Sequence, residues 1–570
     1  MSSRYQQGLG QDASSLSGPV RQRSKQACLP CRRRKRKCDG NLPCNICKGY
    51  GYDCEFDNGA QSANLKRPVP SDGSPQPGGK VTRLTYPQEH PKQPTESPFF
   101  PGILEPSKAR YVGRYSSIAF PLYVGLEVQA TKIPRLHSFA YHTGIRKEPP
   151  CAVTCEAAQK IPWNTARSLI EVYTATVHPV FGFLDMDQLY VRCEKHWHGQ
   201  PQDLVFEAMM SGVIAMASLF SGTLDQDTEM WFILHAKEIL EDCVISRFPS
   251  LEQIAAWTLR TIYMRCTARP HVTWLSSCTV MHLVEAAGLH HASEFVMQTT
   301  GNAAPSPEMF NIVNRVARVA TSLHILIAFE YGRSIITLNG QILENLHPTT
   351  GAKDLTFQLC SLVAAVPTNL SGDALPMMQE LFSSLDMITS VTVDHDFLLL
   401  LRADLALGIY RRLRVMDSKF QQGHNDRVIA AGTAALPAAR RLASQNRPWW
   451  NVIGTVFQFA CALLVMDTPT SCERLVETMD TLEMIVDHLN THLAKEALST
   501  ARQLVRASLD KKRRGVESLE HIVRDASPDS TVSDTNDHLP QDTAAMSPSL
   551  TSQLPLDLDS LWAMEFQLPL

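Results

Sequence analysis

The sequence predicts two unlike folds on one chain. One is a small metal-stabilised, cysteine-rich domain near the start. The other is a mostly α-helical domain covering most of the remainder. Three observations predict them. Six cysteines crowd between Cys28 and Cys54, while nine others (Cys151, Cys155, Cys193, Cys243, Cys266, Cys278, Cys360, Cys461, Cys472) are scattered. Apolar residues after Pro101 recur at helical spacing. Alternating, strand-like patterns are scarce there. A disordered linker and an acidic tail complete the plan.

A chain of 570 residues, 44% of them hydrophobic, can bury a sizeable core. Its net charge of −3 conceals an asymmetry. From Arg21 to Cys54 there are ten Lys/Arg and two Asp/Glu, about +8; from Val516 to Leu570 there are one Arg and ten Asp/Glu, about −9. A basic head suits a polyanion, and an acidic tail suits protein partners. Residues 1–18 are polar and lack the apolar core of a signal peptide. No stretch is read as reaching the roughly 18 apolar residues that span a bilayer. An intracellular protein without a membrane partner is therefore expected, and with it reduced cysteines rather than disulfides. Most of the scattered nine are expected to be small buried hydrophobes.

The elements follow in order. Residues 1–26 are polar and expected to be disordered. Residues 27–57 hold the cysteine module. Residues 58–100 form a linker: eight prolines between Lys66 and Pro98 oppose any helix or coiled coil. Residues 101–510 are expected to be all-α. Ala255, Leu259, Ile262 and Cys266 form one helical stripe; Leu398, Leu401, Leu405 and Ile409 form another; Val452, Val456, Phe459, Leu463 and Met466 form a third. Residues 511–570 are expected to be a disordered acidic tail.

The cysteines repeat one spacing twice: Cys28-x2-Cys31-x6-Cys38, then Cys44-x2-Cys47-x6-Cys54. A Cys-x2-Cys step lets two sulfurs reach one metal, and cysteine-only tetrahedral sites select zinc or iron–sulfur. Two zinc ions need eight sulfur positions, so two of the six thiolates must bridge. The symmetric choice is Cys28 and Cys44. One zinc then takes Cys28, Cys31, Cys38 and Cys44, and the other takes Cys44, Cys47, Cys54 and Cys28. So short a module has no core of its own, and metal binding supplies its folding energy. Between Cys31 and Cys38 stand Arg32, Arg33, Arg34, Lys35, Arg36 and Lys37. Six consecutive cations serve no purpose inside a metal knot. They suit phosphate binding, and Arg and Lys also read guanine edges in the major groove. A metal store would leave that run without purpose; a nuclear localisation signal is compatible with it.

Cys28 to Cys54 resembles the fungal binuclear zinc-cluster (Zn2Cys6) transcription factors in all six cysteine spacings, the basic run, and Pro43 before the fourth cysteine. The resemblance implies a nuclear protein binding double-stranded DNA, with two short helices around the zinc pair. The first helix would read a CGG triplet in the major groove. By position, Arg34 and Lys35 match the family's base-reading pair, and Arg32 and Lys37 match its phosphate contacts. The family usually breaks the run with an apolar residue. Here it is unbroken, and which of Arg33 to Arg36 faces the bases stays open. Residues 166–336 are similar to the family's helical middle region. Leu169 to Asp185 resembles its opening helix and His-Pro turn, Trp257–Tyr263 and Trp274–His290 its later helices, and Tyr331-Gly-Arg-Ser334 its Gly-Arg turn. Regulators of this plan serve metabolic pathways and secondary-metabolite clusters alike.

An enzymatic middle domain is the rival reading. His178, His290 and His291 are candidate bases, but no His-Glu-x-x-His, nucleophile elbow or phosphate loop accompanies them. Leu554 to Leu570 intersperses Asp557, Asp559 and Glu565 among bulky apolar residues, the composition of an activation segment that would dock coactivators. Repression through the same DNA-binding head is the alternative output. Ser527-Pro528 and Ser547-Pro548 are candidate phosphorylation sites, and Lys511 to Arg514 is either a second nuclear signal or a solvated helix end. With no heptads in the linker, either a monomer binds one half-site or the helical domain makes a homodimer.

Overall fold

The computed structural model describes residues 27–33, Cys38, Asn41, Cys44, Cys47, Cys54, and most of 102–525, within which the longest segment left out is 339–353. The disorder expected for 1–26, for the linker and for 526–570 falls outside the described residues. The chain divides into two compact units, Met1–Thr95 and Glu96–Leu570.

In the first unit, helix α1 (Leu29–Arg33) begins just after Cys28. Pro30 sits in its first turn, where a missing N–H costs nothing. The Arg32 N–H donates to the Cys28 carbonyl at 2.9 Å, closing one turn.

The second unit opens on a small sheet that the all-α expectation for 101–510 lacks. Strand β1 (Gly102–Glu105) pairs antiparallel with β2 (Arg110–Gly113) and parallel with β3 (Met297–Gln298). Ile103 opposes Val112, and both are buried with Ala119. These strands have at most four residues, too few for a period-two pattern to stand out in sequence.

Helices make up the rest. They run α2 (Phe120–Glu127), α3 (Ala157–Lys160), α4 (Trp163–Thr176), α5 (Met186–Trp197), α6 (Leu204–Ser221), α7 (Gln226–Glu241), α8 (Leu251–Thr267) and α9 (Pro270–Ala286). Then come α10 (Pro307–Tyr331), α11 (Thr356–Ala364), α12 (Ala374–Ser390), α13 (Asp396–Val415), α14 (Gln422–Ser444), α15 (Asn451–Met466), α16 (Pro469–Leu489) and α17 (His492–Asp525). Their starts follow capping chemistry. Asp185, Asp203, Asp225 and Ser250 each accept a backbone N–H at the head of α5, α6, α7 and α8. Thr468 and Ser471 form a reciprocal capping box on α16. Gly222 ends α6 at φ +63°, a left-handed turn that glycine adopts without strain.

The core has two neighbourhoods. In one, α6 packs against α4, α7 and α8; in the other, α13, α14, α15 and α16 pack together. All three sequence stripes face the core: Leu259, Ile262, Leu398, Ile409 and Phe459 are fully buried. Three further expectations need correction. Leu204–Ser221 and Phe310–Tyr331 are in fact long and apolar enough to cross a bilayer by length and composition. Both are mostly buried inside this unit, which explains their all-round apolarity. Among the described scattered cysteines, Cys193 is buried, Cys472 is exposed and the others are half-buried. Finally, α17 continues past residue 510 to Asp525, so 511–525 is helical rather than part of a disordered tail.

Candidate metal centre and nucleic-acid interface

One helical turn places Cys28 and Cys31 on the same side of α1. There they meet the second cysteine pair. The sulfurs of Cys28, Cys31, Cys44 and Cys47 all lie within 4.8 Å of one another, and all four residues are buried. The Sγ–Sγ separations are 3.7 Å for Cys28–Cys44, 3.6 Å for Cys28–Cys47 and 3.7 Å for Cys31–Cys44. A disulfide would need about 2.05 Å, and these cysteines are free. A tetrahedral zinc with bonds of about 2.3 Å sets its sulfurs roughly 3.8 Å apart. The observed spacing therefore fits the edges of zinc–thiolate tetrahedra. Cys28 and Cys44 each pair with the other and with both Cys31 and Cys47, which lie at the two ends of the series.

Cys38 and Cys54 pack against the four. The Cys44 N–H donates to Cys54 Sγ at 3.2 Å. The Cys47 N–H donates to Cys44 Sγ at 3.3 Å. That backbone bond, helped by neighbouring thiols, pulls the Cys44 thiol down to about 6. Burial, with the adjoining sulfurs, pushes Cys31 up to about 12. Binding zinc takes the proton from each of these thiols. The donor set fits zinc, and the cluster domain holds two zinc ions.

Of the basic run, Arg32 is exposed at the end of α1 and Arg33 lies in that helix. Arg34, Lys35, Arg36 and Lys37 fall outside the described residues. The structure thus brings four of the predicted ligands into one group and packs the other two beside it. It exposes one of the predicted DNA contacts.

In the helical unit, two of the three histidines singled out from sequence are described. His178 is half-buried, and burial lowers its pKa. His290 is buried and meets the Tyr111 ring edge-on at 5.2 Å. His291 lies outside the described residues. Sequence reasoning missed two polar staples. Glu207 is wholly buried and accepts the N–H groups of Glu156 and Ala157, at 2.5 and 2.8 Å. His235 Nε2 lies 2.9 Å and His196 Nε2 3.2 Å from its oxygens. Burial alone would raise the Glu207 carboxyl; these hydrogen bonds outweigh it and hold the group well below the usual carboxylate range. The second staple is His324. Its Nε2 accepts the Ile336 N–H at 2.8 Å, and its Nδ1 lies 3.0 Å from Ser277 Oγ. An accepting Nε2 means a neutral ring with its proton on Nδ1, donated to Ser277. This ties α9 and α10 to the segment after the Tyr331-Gly-Arg-Ser334 turn, where Gly332 has φ +61°. No sequence periodicity marks either staple, because their partners lie on other elements, beyond the reach of a helical repeat.

A thiolate cluster that takes zinc, a cationic helix end, and a separate helical unit define a zinc-folded DNA-binding regulator. Residues 26–62 match the fungal Zn(2)-Cys(6) binuclear cluster domain, and residues 170–343 match the fungal specific transcription factor domain. Protein RDR1 of Saccharomyces cerevisiae is 36% identical over 517 residues, 89% of this chain and 93% of that one. Transcription factor kojR of Aspergillus oryzae is 33% identical over 509 residues, 89% of this chain and 88% of that one. A Schizosaccharomyces pombe protein described as a transcriptional repressor is 26% identical over 294 residues, 47% of this chain and 61% of that one. The chain belongs to the fungal Zn(2)-Cys(6) transcription factors. It is a zinc-dependent, DNA-binding transcription factor and not an enzyme.

Proposed function

We propose that this transcription factor acts in the nucleus, reads CGG-type half-sites and activates RNA polymerase II genes of a metabolic or secondary-metabolite cluster. The observation that carries the reading is the sulfur arrangement: a shared Cys28–Cys44 edge, flanked by Cys31 on one side and Cys47 on the other. Two tetrahedra that share an edge need this order. One zinc is held by Cys28, Cys31, Cys38 and Cys44, the other by Cys28, Cys44, Cys47 and Cys54. The cluster then fixes α1 as a rigid stub from which the cations project. Arg34 and Lys35 read base edges, Arg32 and Lys37 hold phosphates, and Arg33 and Arg36 flank the readers. The acidic residues from 526 onward engage coactivators, and a second copy of the chain pairs through the helical unit where two half-sites are read.

The test is selection of the full chain on a randomised DNA pool, with zinc and with chelator, at two salt concentrations. Enrichment of a CGG-type triplet that vanishes with chelator supports the reading. Salt-sensitive binding without sequence preference leaves only a basic anchor. A second output, repression, is favoured by the description of the S. pombe relative. Fusing Val516–Leu570 to an unrelated DNA-binding domain separates the two: reporter gain supports activation, and no gain or a loss favours repression.

A further inference from the structure

The helical unit contains a cavity of about 640 Å³ among α5, the starts of α6 and α8, and α10. That volume falls within the range of small-molecule sites. Leu184, Val205, Leu251 and Ile312 line it and are only half-buried, so each keeps accessible apolar surface. Its ionic groups answer one another. Asp185, Arg192, Asp203 and Glu252 all line the cavity. Arg192 donates from Nε to Gln202 at 3.0 Å, from Nη1 to Glu252 at 2.5 Å and from Nη2 to Asp203 at 2.9 Å. Asp185 and Asp203 also cap α5 and α6, where the positive helix ends offset their charge. A ligand that brought a full charge would find no unanswered counter-charge to meet it.

Arg192 also sets the shape of the site. One hydrogen bond from each nitrogen fixes the guanidinium plane, and one face of that plane lies over the Phe206 ring, 3.8 Å from its centroid. The side chain is still 21% exposed and lines the cavity. With its nitrogens engaged and one face covered, what it offers the cavity is the opposite face and the stem. A held guanidinium face stacks on aromatic rings. The attraction strengthens where water is excluded.

We propose that this cavity binds an uncharged, planar aromatic molecule, stacked on Arg192 and enclosed by Leu184, Val205, Leu251 and Ile312. The site goes beyond the DNA reading, because binding is measured without DNA, and either can fail alone.

The test uses the full zinc-loaded chain and probes built on one skeleton: naphthalene methanol, its decahydro counterpart, naphthoate and naphthylmethylamine, titrated by ligand-observed NMR. The naphthyl alcohol is expected to bind saturably, and more tightly than both ions and the saturated alcohol. Val205→Trp and Leu251→Trp fill the cavity from α6 and α8, and each should block it. Both should keep a wild-type thermal melt, because the new ring enters open space. Arg192→Lys keeps the charge and the stem but removes the planar face. It should weaken the naphthyl alcohol by roughly three- to tenfold and leave the saturated alcohol unchanged; a merely loosened fold would weaken both alike. No saturable binding, equal or tighter binding of an ion or of the saturated alcohol, or undiminished binding in the tryptophan variants overturns the proposal. So does equal loss of both alcohols in Arg192→Lys, or an early melt of both tryptophan variants, which would mean that the space is not open.

Discussion

Removing Cys44 should affect both zinc ions, whereas removing Cys31 should affect one. The Cys44 sulfur lies 3.7 Å from both Cys28 and Cys31 and also accepts the Cys47 N–H. Cys31 lies at one end of the sulfur series. A structural zinc contributes roughly 10–16 kcal/mol, which over four thiolates is about 2.5–4 kcal/mol each. Losing one ligand should therefore weaken a given zinc by roughly a hundredfold to a thousandfold. In Cys31→Ala that loss falls on one ion, and competition with a chromophoric chelator should show two steps. In Cys44→Ala it falls on both, and the two ions should leave together at low chelator. Far-ultraviolet circular dichroism of the same samples reports whether the helical unit stays folded. A Cys44→Ala protein that holds two zincs at wild-type affinity would refute the bridging assignment.

The other predictions concern both units. His324 is held neutral by burial, which lowers its pKa to about 4 from 6.5. Between these values the unfolded chain binds the extra proton, so its contribution is full above pH 6.5 and is lost as pH falls toward 4. The loss amounts to roughly 3 kcal/mol. Urea midpoints across that window should fall more steeply for wild type than for His324→Phe, and equal slopes would contradict the assigned neutral ring. Gly432→Ala should destabilise although it adds a better helix former, since the new Cβ would stand 2.3 Å from the buried Phe459 ring. Overpacking of this kind costs about 1–3 kcal/mol; thermal melts should show the loss, and Phe459→Leu should recover it. Lys35→Ala should relax preference at one base pair, at roughly 1–3 kcal/mol, while Arg32→Ala should weaken all sequences alike and lower the salt slope by about one. Uniform weakening by Lys35→Ala would make it a phosphate contact instead.

The metal centre was legible because its information is local. Ligand spacing, charge and thiol chemistry all lie within Cys28–Cys54, and four sulfurs meet as the spacing demands. The long helices were legible for the same reason: Leu398, Leu401, Leu405 and Ile409 mark their buried face within a dozen residues. The sheet was not, because β3 has two residues and pairs with a strand nearly two hundred positions earlier. The Glu207 and His324 staples were hidden similarly, since each depends on groups from separate segments. The limit set at residue 510 failed because the charged run Lys511–Arg514 can continue a helix once its earlier turns are anchored. Ala494, Leu498 and Ala501 provide that anchor on α17.

That last helix has a mechanical consequence. Beyond the Lys512–Asp467 ion pair, which ties α17 to the end of α15, its described side chains as far as Val523 are exposed and its last turns overhang that tie. At 1.5 Å per residue this overhang measures roughly 20 Å. The chain beyond Asp525 is thus launched from the tip of a stiff boom rather than from the surface of the bundle. A partner gripping those residues gains standoff from the bulk behind them, and shortening the boom by whole turns would reel that partner in without altering a single contact it makes.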